Sequence, residues 1–366
     1  MKILIATGYS GSWPYVPDMV EELRSRGVTV DIFDIDEPRP ARFLDRLAFR
    51  FTGLRARTTR SVLRHKLDAM ASDYDAVNIH FLHPIYADLL DSLKVRGRRL
   101  VASIWGSDFL RANDAQRAVL RDILAQAHVI TTNNPEIRQQ LQAAYPEAEP
   151  KVRIMSYGMR SLSVIDQVLR KETQAQSRAA LGVDPDKIIV VCGYNATRAQ
   201  QHMTMIQAIA ALPPDVKARQ QFIVQATYPD DAAYKDEIAA ALDKAGIAYL
   251  MLRENMDLED ICRLRIVSDV TLNIQTTDSL AGSIQEHLYA GSALIVGRWL
   301  PYEMFEKMGA SVQRVETAAQ IAEALAVARR KPDPSVTRPD YVRQIHEAAC
   351  WGSDSLMEKW LSAYRG

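Results

Sequence analysis

The sequence has little cysteine, no excess of either charge and no long apolar run, and each shortage removes a class of protein. Only Cys192, Cys262 and Cys350 occur in 366 residues, far apart, with no CxxC pair and no histidine at metal-ligand spacing. That excludes a disulfide framework and a structural zinc, and it fits a reducing compartment. Lys plus Arg number 45 and so do Asp plus Glu, so no global field recruits a polynucleotide and no nucleic-acid partner is expected. No apolar stretch approaches the ~20 residues of a membrane span. The first strand-like run, residues 2–7, is too short for the apolar core of a secretory signal, so a cytoplasmic protein is expected.

What is present is alternation. The length exceeds the ~250–300 residues at which one core stops growing, which predicts two domains. Short apolar runs at 2–7, 28–34, 76–80, 99–104, 129–132 and 152–155 are separated by helix-sized amphipathic segments. After a polar stretch the pattern restarts, with strands expected at 187–192, 221–226, 248–252, 270–274, 293–296 and 311–315. Strands separated by helices imply parallel sheets covered on both faces, an α/β protein of two Rossmann-like halves. The expected division is an N-terminal domain 1–165, a second domain 166–345, and a closing helix in 346–366 that packs back on the first. In such folds ligands bind beyond the carboxyl ends of the strands, which makes a cleft between the halves the default site.

Three loops carry donors or acids suited to a phosphorylated ligand. Gly8-Tyr9-Ser10-Gly11-Ser12 follows the first strand and opens a helix; it is not GxGxxG, and a glycine there also serves a turn. Gly193-Tyr194-Asn195 through Arg198 and His202 repeats that geometry in the second half, with three added donors before the next helix. In Asp278-Ser-Leu-Ala-Gly282-Ser283-Ile-Gln-Glu286, two carboxylates stand eight positions apart, one in a loop and one expected in the first turn of a helix, with small residues between them. A carboxylate at a helix start also stabilises the helix itself.

Asp278-x7-Glu286 followed by His-Leu-Tyr-Ala-Gly-Ser-Ala-Leu-Ile resembles the E-x7-E donor motif and following helix of GT-B glycosyltransferases, especially the retaining GT4 group. The stretches Arg178-Ala-Ala-Leu-Gly-Val, Ser268-Asp269-Val270, Trp105-Gly-Ser-Asp108 and 351–364 agree in order and spacing. The resemblance implies the GT-B architecture and transfer of a sugar from a nucleotide diphosphate donor to a hydroxyl of a glycan or lipid-linked glycan, without metal or other cofactor. It implies that Glu286 accepts from the ribose hydroxyls, that Asp278 contacts the donor sugar, and that Arg198 with Asn195 and His202 holds the diphosphate. Gly193 shapes that loop, and Gly282 and Ser283 offer N–H groups to the phosphates. Residues 253–256, Glu254 among them, lie near the base. Gly11 and Ser12 border the acceptor or diphosphate, and Asp108 stands near the reacting hydroxyl.

Asp stands where the first Glu is usual, and Gln201-His202 where a Lys is usual; this loop is similar to that of bacterial fucosamine transferases acting on lipid-linked precursors. Two other readings remain open: a non-hydrolysing sugar-nucleotide epimerase, and a non-catalytic nucleotide-sugar binder on the same fold. Asp34-Ile35-Asp36 has the form of a metal motif from another glycosyltransferase fold but closes a strand, where a carboxylate is common. His80 and His83 flank a strand end near the expected acceptor. Residues 39–66 hold nine basic residues against one acid, interleaved with Phe43, Leu44, Leu47, Phe49, Phe51 and Leu54. Such a segment suits an anionic membrane surface, giving an expected peripheral position at the inner face and a lipid-linked acceptor.

Overall fold

A computed structural model describes residues 1–8, 15–36 and 52–365. Gly11, Ser12 and residues 39–51 of the basic segment lie outside the described residues. The chain divides into two compact units, Met1–Gly158 with Trp351–Gly366, and Met159–Cys350.

The first unit is built on six parallel strands, β1 (Lys2–Thr7), β2 (Thr29–Asp34), β3 (Tyr74–His80), β4 (Gly97–Ile104), β5 (Val129–Thr132) and β6 (Val152–Ile154), in the order β2-β1-β3-β4-β5-β6. Successive side chains of a strand face opposite sides, and both sides of β1 are apolar. Leu4 and Ala6 join a core with Val77, Ile79, Leu89 and Leu93. Ile3 and Ile5 join one with Met19, Leu23, Met357 and Trp360. Two buried faces are why these strands read as continuous apolar runs.

The closing helix Asp354–Arg365 belongs to this unit through that second core. Trp360 donates its indole N–H to the Ser156 carbonyl at 3.1 Å, and Asn78 donates to the Tyr364 hydroxyl at 2.8 Å. Gly158 is required where the chain leaves the unit, because a Cβ there would lie 2.0 Å from the Trp351 ring.

The second unit repeats the plan with β7 (Ile188–Cys192), β8 (Gln220–Gln225), β9 (Tyr249–Leu252), β10 (Val270–Asn273), β11 (Ala293–Gly297) and β12 (Val312–Val315), in the order β12-β11-β10-β7-β8-β9. The strand order reverses between β7 and β10, so the loops leaving those two strands diverge around a crevice, where open α/β sheets bind their ligands.

The unit boundaries differ from those expected at 165 and 345. The helix Arg160–Lys171 lies wholly in the second unit, burying Leu162, Ile165 and Val168. Its mostly polar composition hides that stripe from a reading of the sequence. The helix Tyr341–Ala349 also lies in the second unit, so the return to the first begins at Trp351. Arg178 and Asp269 form a buried pair at 2.8 Å, and the same Asp269 oxygen accepts from the N–H of Ile189, the second residue of β7. Two stretches of the family resemblance therefore hold the base of this sheet rather than a ligand.

Candidate functional site

The loops after β7 and β10 are stitched together at the switch point. Gly193 N–H donates to the Leu272 carbonyl at 2.9 Å, and Thr276 N–H to the Ala199 carbonyl at 2.9 Å. The amide of Gln200 bridges to Gln275 at 3.1 Å, and that of Gln275 to the Tyr194 hydroxyl at 2.7 Å. Gly193 adopts φ +65°, and a Cβ there would meet Gln200 Oε1 at 2.9 Å and His202 Nε2 at 3.2 Å, so only glycine fits this turn without strain.

Asp278 sits half-buried in the β10 loop. One carboxylate oxygen accepts the Ser279 N–H at 2.7 Å; the other accepts Asn273 Nδ2 at 3.2 Å and the Tyr302 hydroxyl. Tyr302 is in turn fixed by the Ala281 N–H at 3.1 Å. Burial raises the Asp278 carboxyl above its ordinary range, and these donors pull against that shift.

Glu286 is the fifth residue of the helix Gly282–Tyr289, one residue deeper than expected and just past the first turn, which holds no acid. Its role is therefore not to stabilise the helix start. Oε1 accepts the Ser161 hydroxyl at 2.6 Å and Oε2 accepts Arg265 Nε at 3.0 Å, with side chains only 4% exposed for Arg265 and 11% for Glu286. Arg265 also donates to Gln225 at 2.8 Å and to His287 Nε2 at 3.2 Å. Burial and the Arg265 charge hold the His287 imidazole far below its ordinary range, so it is a neutral acceptor. A carboxylate offers about four lone-pair sites, and two are used here. At the start of the same helix the N–H groups of Gly282 and Ser283 precede any intrahelical acceptor, and Ser283 Oγ, buried, has no partner among the described residues.

The remaining expected residues are placed differently. Arg198 is turned onto the helix Ala232–Lys244, pairing with Glu237 at 2.9 Å and lying 4.3 Å over the Tyr234 ring. Asn195 spends its oxygen on Thr197, at 2.9 Å to the N–H and 2.7 Å to the hydroxyl, and also bonds Tyr228. His202 is buried beneath Gly193, with Nδ1 3.3 Å from the Tyr234 hydroxyl, and burial holds it down at about 4, so it is neutral near pH 7 and supplies no cation to a phosphate. Glu254 is exposed in the loop after β9.

In the first unit Asp108 is committed to backbone. Its carboxylate accepts the N–H groups of Leu82 at 2.9 Å, Trp105 at 3.0 Å and Gly106 at 2.9 Å, tying the loop after β3 to the loop after β4. The carboxylate thus positions these two loops. Burial nevertheless raises it to about 6, against those bonds. A carboxyl raised in the fold favours the protonated form, so its contribution to stability is complete below ~4 and is lost as pH rises through about 6. Asp108→Asn should flatten the change in melting temperature between those pH values relative to the parent, and an unchanged pH profile would refute the assignment.

His80 is packed against Trp360 and Trp105, accepts from Asn78 at 2.9 Å, and is held down to about 3 by burial, which makes it a core histidine. His83 Nδ1 accepts the Ile85 N–H at 3.2 Å within its turn. Asp34 Oδ1 accepts the Asp36 N–H at 2.8 Å, the bond of a strand-ending turn. Among the described residues no group of three His, Cys, Asp or Glu converges as metal ligands would.

Sequence reasoning missed Arg265, Ser161, Tyr302 and Tyr228. Arg265 had one visible signal, a charge inside the buried run Cys262-Arg-Leu-Arg265-Ile-Val.

Residues 9–159 match the model of Glycosyltransferase Family 4, a span that ends at the boundary of the first unit. The first unit therefore carries a glycosyltransferase family 4 domain. The fold of the chain is shared along its whole length with sucrose-phosphate synthase from Thermosynechococcus elongatus, at 14% identity and TM-score 0.73, covering 99% of this chain and 98% of that one. It is also shared with a glycosyltransferase from Rickettsia africae, at 12% identity and TM-score 0.70, covering 100% and 97%. HepE from Anabaena in complex with UDP-glucose aligns at 14% identity and TM-score 0.66, covering 99% and 100%. These neighbours are GT-B glycosyltransferases, and the chain shares their fold. No curated protein matches the sequence.

Proposed function

We propose that the enzyme transfers a sugar from a nucleotide diphosphate donor to a hydroxyl of a glycan or lipid-linked glycan, with retention of configuration and without a metal ion. The observation that carries this is the Asp278–Glu286 segment at the switch point: a helix start whose first N–H groups face no carbonyl, with Asp278 in the loop before it and Glu286, two of its lone-pair sites unused, in the turn after it. The free lone pairs of Glu286 take the ribose hydroxyls, Asp278 takes hydroxyls of the sugar, and Gly282 and Ser283 take the phosphates. The bond from the anomeric carbon to the phosphate oxygen breaks as that from the acceptor oxygen forms, and the acceptor proton passes to the departing phosphate. Fixed donors that stabilise the leaving group are the main catalytic device in such a step. Arg198 reaches the diphosphate on releasing Glu237, an exposed pair that costs little to open. The first unit receives the acceptor, and a lipid-linked one fits a peripheral position at the inner membrane face.

The solved HepE complex makes UDP-sugars the first donors to try. A thermal-shift screen over UDP, GDP and dTDP and their sugars should find one diphosphate that raises the melting temperature, because a ligand bound only by the folded state adds RT ln(1 + [L]/Kd). Transfer from that donor, insensitive to EDTA, completes the test. The absence of any shift with every nucleotide would overturn the reading. Entry of solvent deuterium into the sugar with no acceptor present would assign an epimerase instead.

A further inference from the structure

The helix Thr52–Asp68 turns Val62, Leu63 and Leu67 into the first unit's core and leaves Arg57, Arg60 and Arg64 exposed on its outer face. Positions three, four and seven apart share one side of a helix, so the three guanidinium groups form a single stripe. Together with Ser61, His65 and Asp88 they line a groove of about 350 Å³. Asp88 is its one acid: Arg60 Nε lies 2.7 Å from its carboxylate, and Arg64 donates to its backbone carbonyl at 2.9 Å. That arrangement spreads the two arginines along the groove and leaves both more cationic than one carboxylate neutralises. Arg57 has no ion-pair or hydrogen-bond partner among the described residues. Neither the nucleotide loops nor the acids of the donor site are in this groove, so the proposed reaction makes no use of it.

We propose that this groove docks the enzyme on an anionic bilayer, the guanidinium forks taking lipid phosphates. The inference deepens the peripheral position stated above by naming its surface. Arginine matches phosphate bidentately and is weakly hydrated, so it gives up water at a headgroup readily. Charge complementarity selects the partner. The whole chain is neutral, yet the sequence leading into this helix is strongly basic, which makes the rest of the protein net acidic and unsuited to an anionic surface. The preceding sequence also alternates its cations with phenylalanine and leucine, a composition that suits the bilayer interface rather than a soluble anion or a nucleic acid.

The test is cosedimentation of the full chain with vesicles of phosphatidylcholine alone and of phosphatidylcholine mixed with phosphatidylglycerol. The parent should bind the mixed vesicles only. Each cation near such a surface contributes about fivefold, so Arg57→Gln with Arg64→Gln should weaken partition about 30-fold, while the melting temperature stays unchanged. Equal partition of parent and variant, equal binding to both vesicle types, or no binding by the parent would each overturn the proposal. So would release by inorganic phosphate at matched ionic strength, which would assign a free-phosphate site, or tighter binding to a single-stranded RNA than to vesicles. The nucleotide thermal shift, run on the same double variant, separates the two readings: a preserved shift with lost vesicle binding supports both, and vesicle binding without any shift in the parent sinks the transferase reading alone.

Discussion

Replacing Glu286 with alanine should lower the stability of the second unit by about 3 kcal/mol and abolish nucleotide binding together. The stability loss follows from Arg265, whose guanidinium is almost fully enclosed and pairs with Glu286 at 3.0 Å. Removing one member of a buried pair strands the other, which typically costs 3–5 kcal/mol; the lower figure applies because Gln225 and His287 still accept from Arg265. For a unit of this size that is roughly 6–12 °C in melting temperature. Glu286→Gln separates the two roles. Its neutral amide oxygen still accepts from Ser161 or Arg265, so stability should fall by only ~1 kcal/mol, whereas nucleotide affinity, if Glu286 holds ribose hydroxyls, should drop at least tenfold. Scanning calorimetry and isothermal titration on the same preparations give both numbers. An alanine variant that melts with the parent would contradict the buried pair, and a glutamine variant with parental affinity would remove Glu286 from the ribose.

The second large effect is expected at Asp278. Asp278→Asn should reduce kcat/KM for transfer about 100-fold, since hydrogen bonds to a charged acceptor contribute about 1.5–3 kcal/mol, and the amide also places a donor against Tyr302, Asn273 or the Ser279 N–H. Tyr302→Phe removes the hydroxyl that holds one Asp278 oxygen while leaving the carboxylate in place. It should cost about tenfold or less, with the larger part in kcat if Tyr302 acts by positioning. Parental kcat/KM in the Asp278→Asn variant would exclude this carboxylate from the sugar. The aspartate, one methylene shorter than the glutamate of the family motif, thus arrives with its own scaffold of Tyr302 and Asn273.

Much of the fold was legible because its signals are local. Strands buried on both faces read as apolar runs, and helices between them as amphipathic segments, so six strands in each half could be counted along the chain. The segment Asp278–Glu286 was legible for the same reason: a loop acid, small residues and a helix start are consecutive in sequence. The helix Arg160–Lys171 was not, because its apolar stripe is diluted by arginine, serine and glutamine. Arg198 and His202 looked like phosphate donors from their place after a strand. Their geometry is set by Glu237 and Tyr234, on another helix.

The sequence by itself determined the class of fold, the existence of two halves and which loops follow the strands, since hydrophobic period and chain order encode these. Tertiary structure alone decided what each charged group is bonded to. Glu286 meets Ser161 from 125 residues earlier and Arg265 from 21 residues earlier, and Asp108 is consumed by the N–H groups of two loops. Strand order, which sets the switch point between β7 and β10, is likewise a matter of pairing between distant segments. A carboxylate advertises its charge in the sequence, but its partners, its burial and therefore its role depend on which remote side chains the sheet brings beside it.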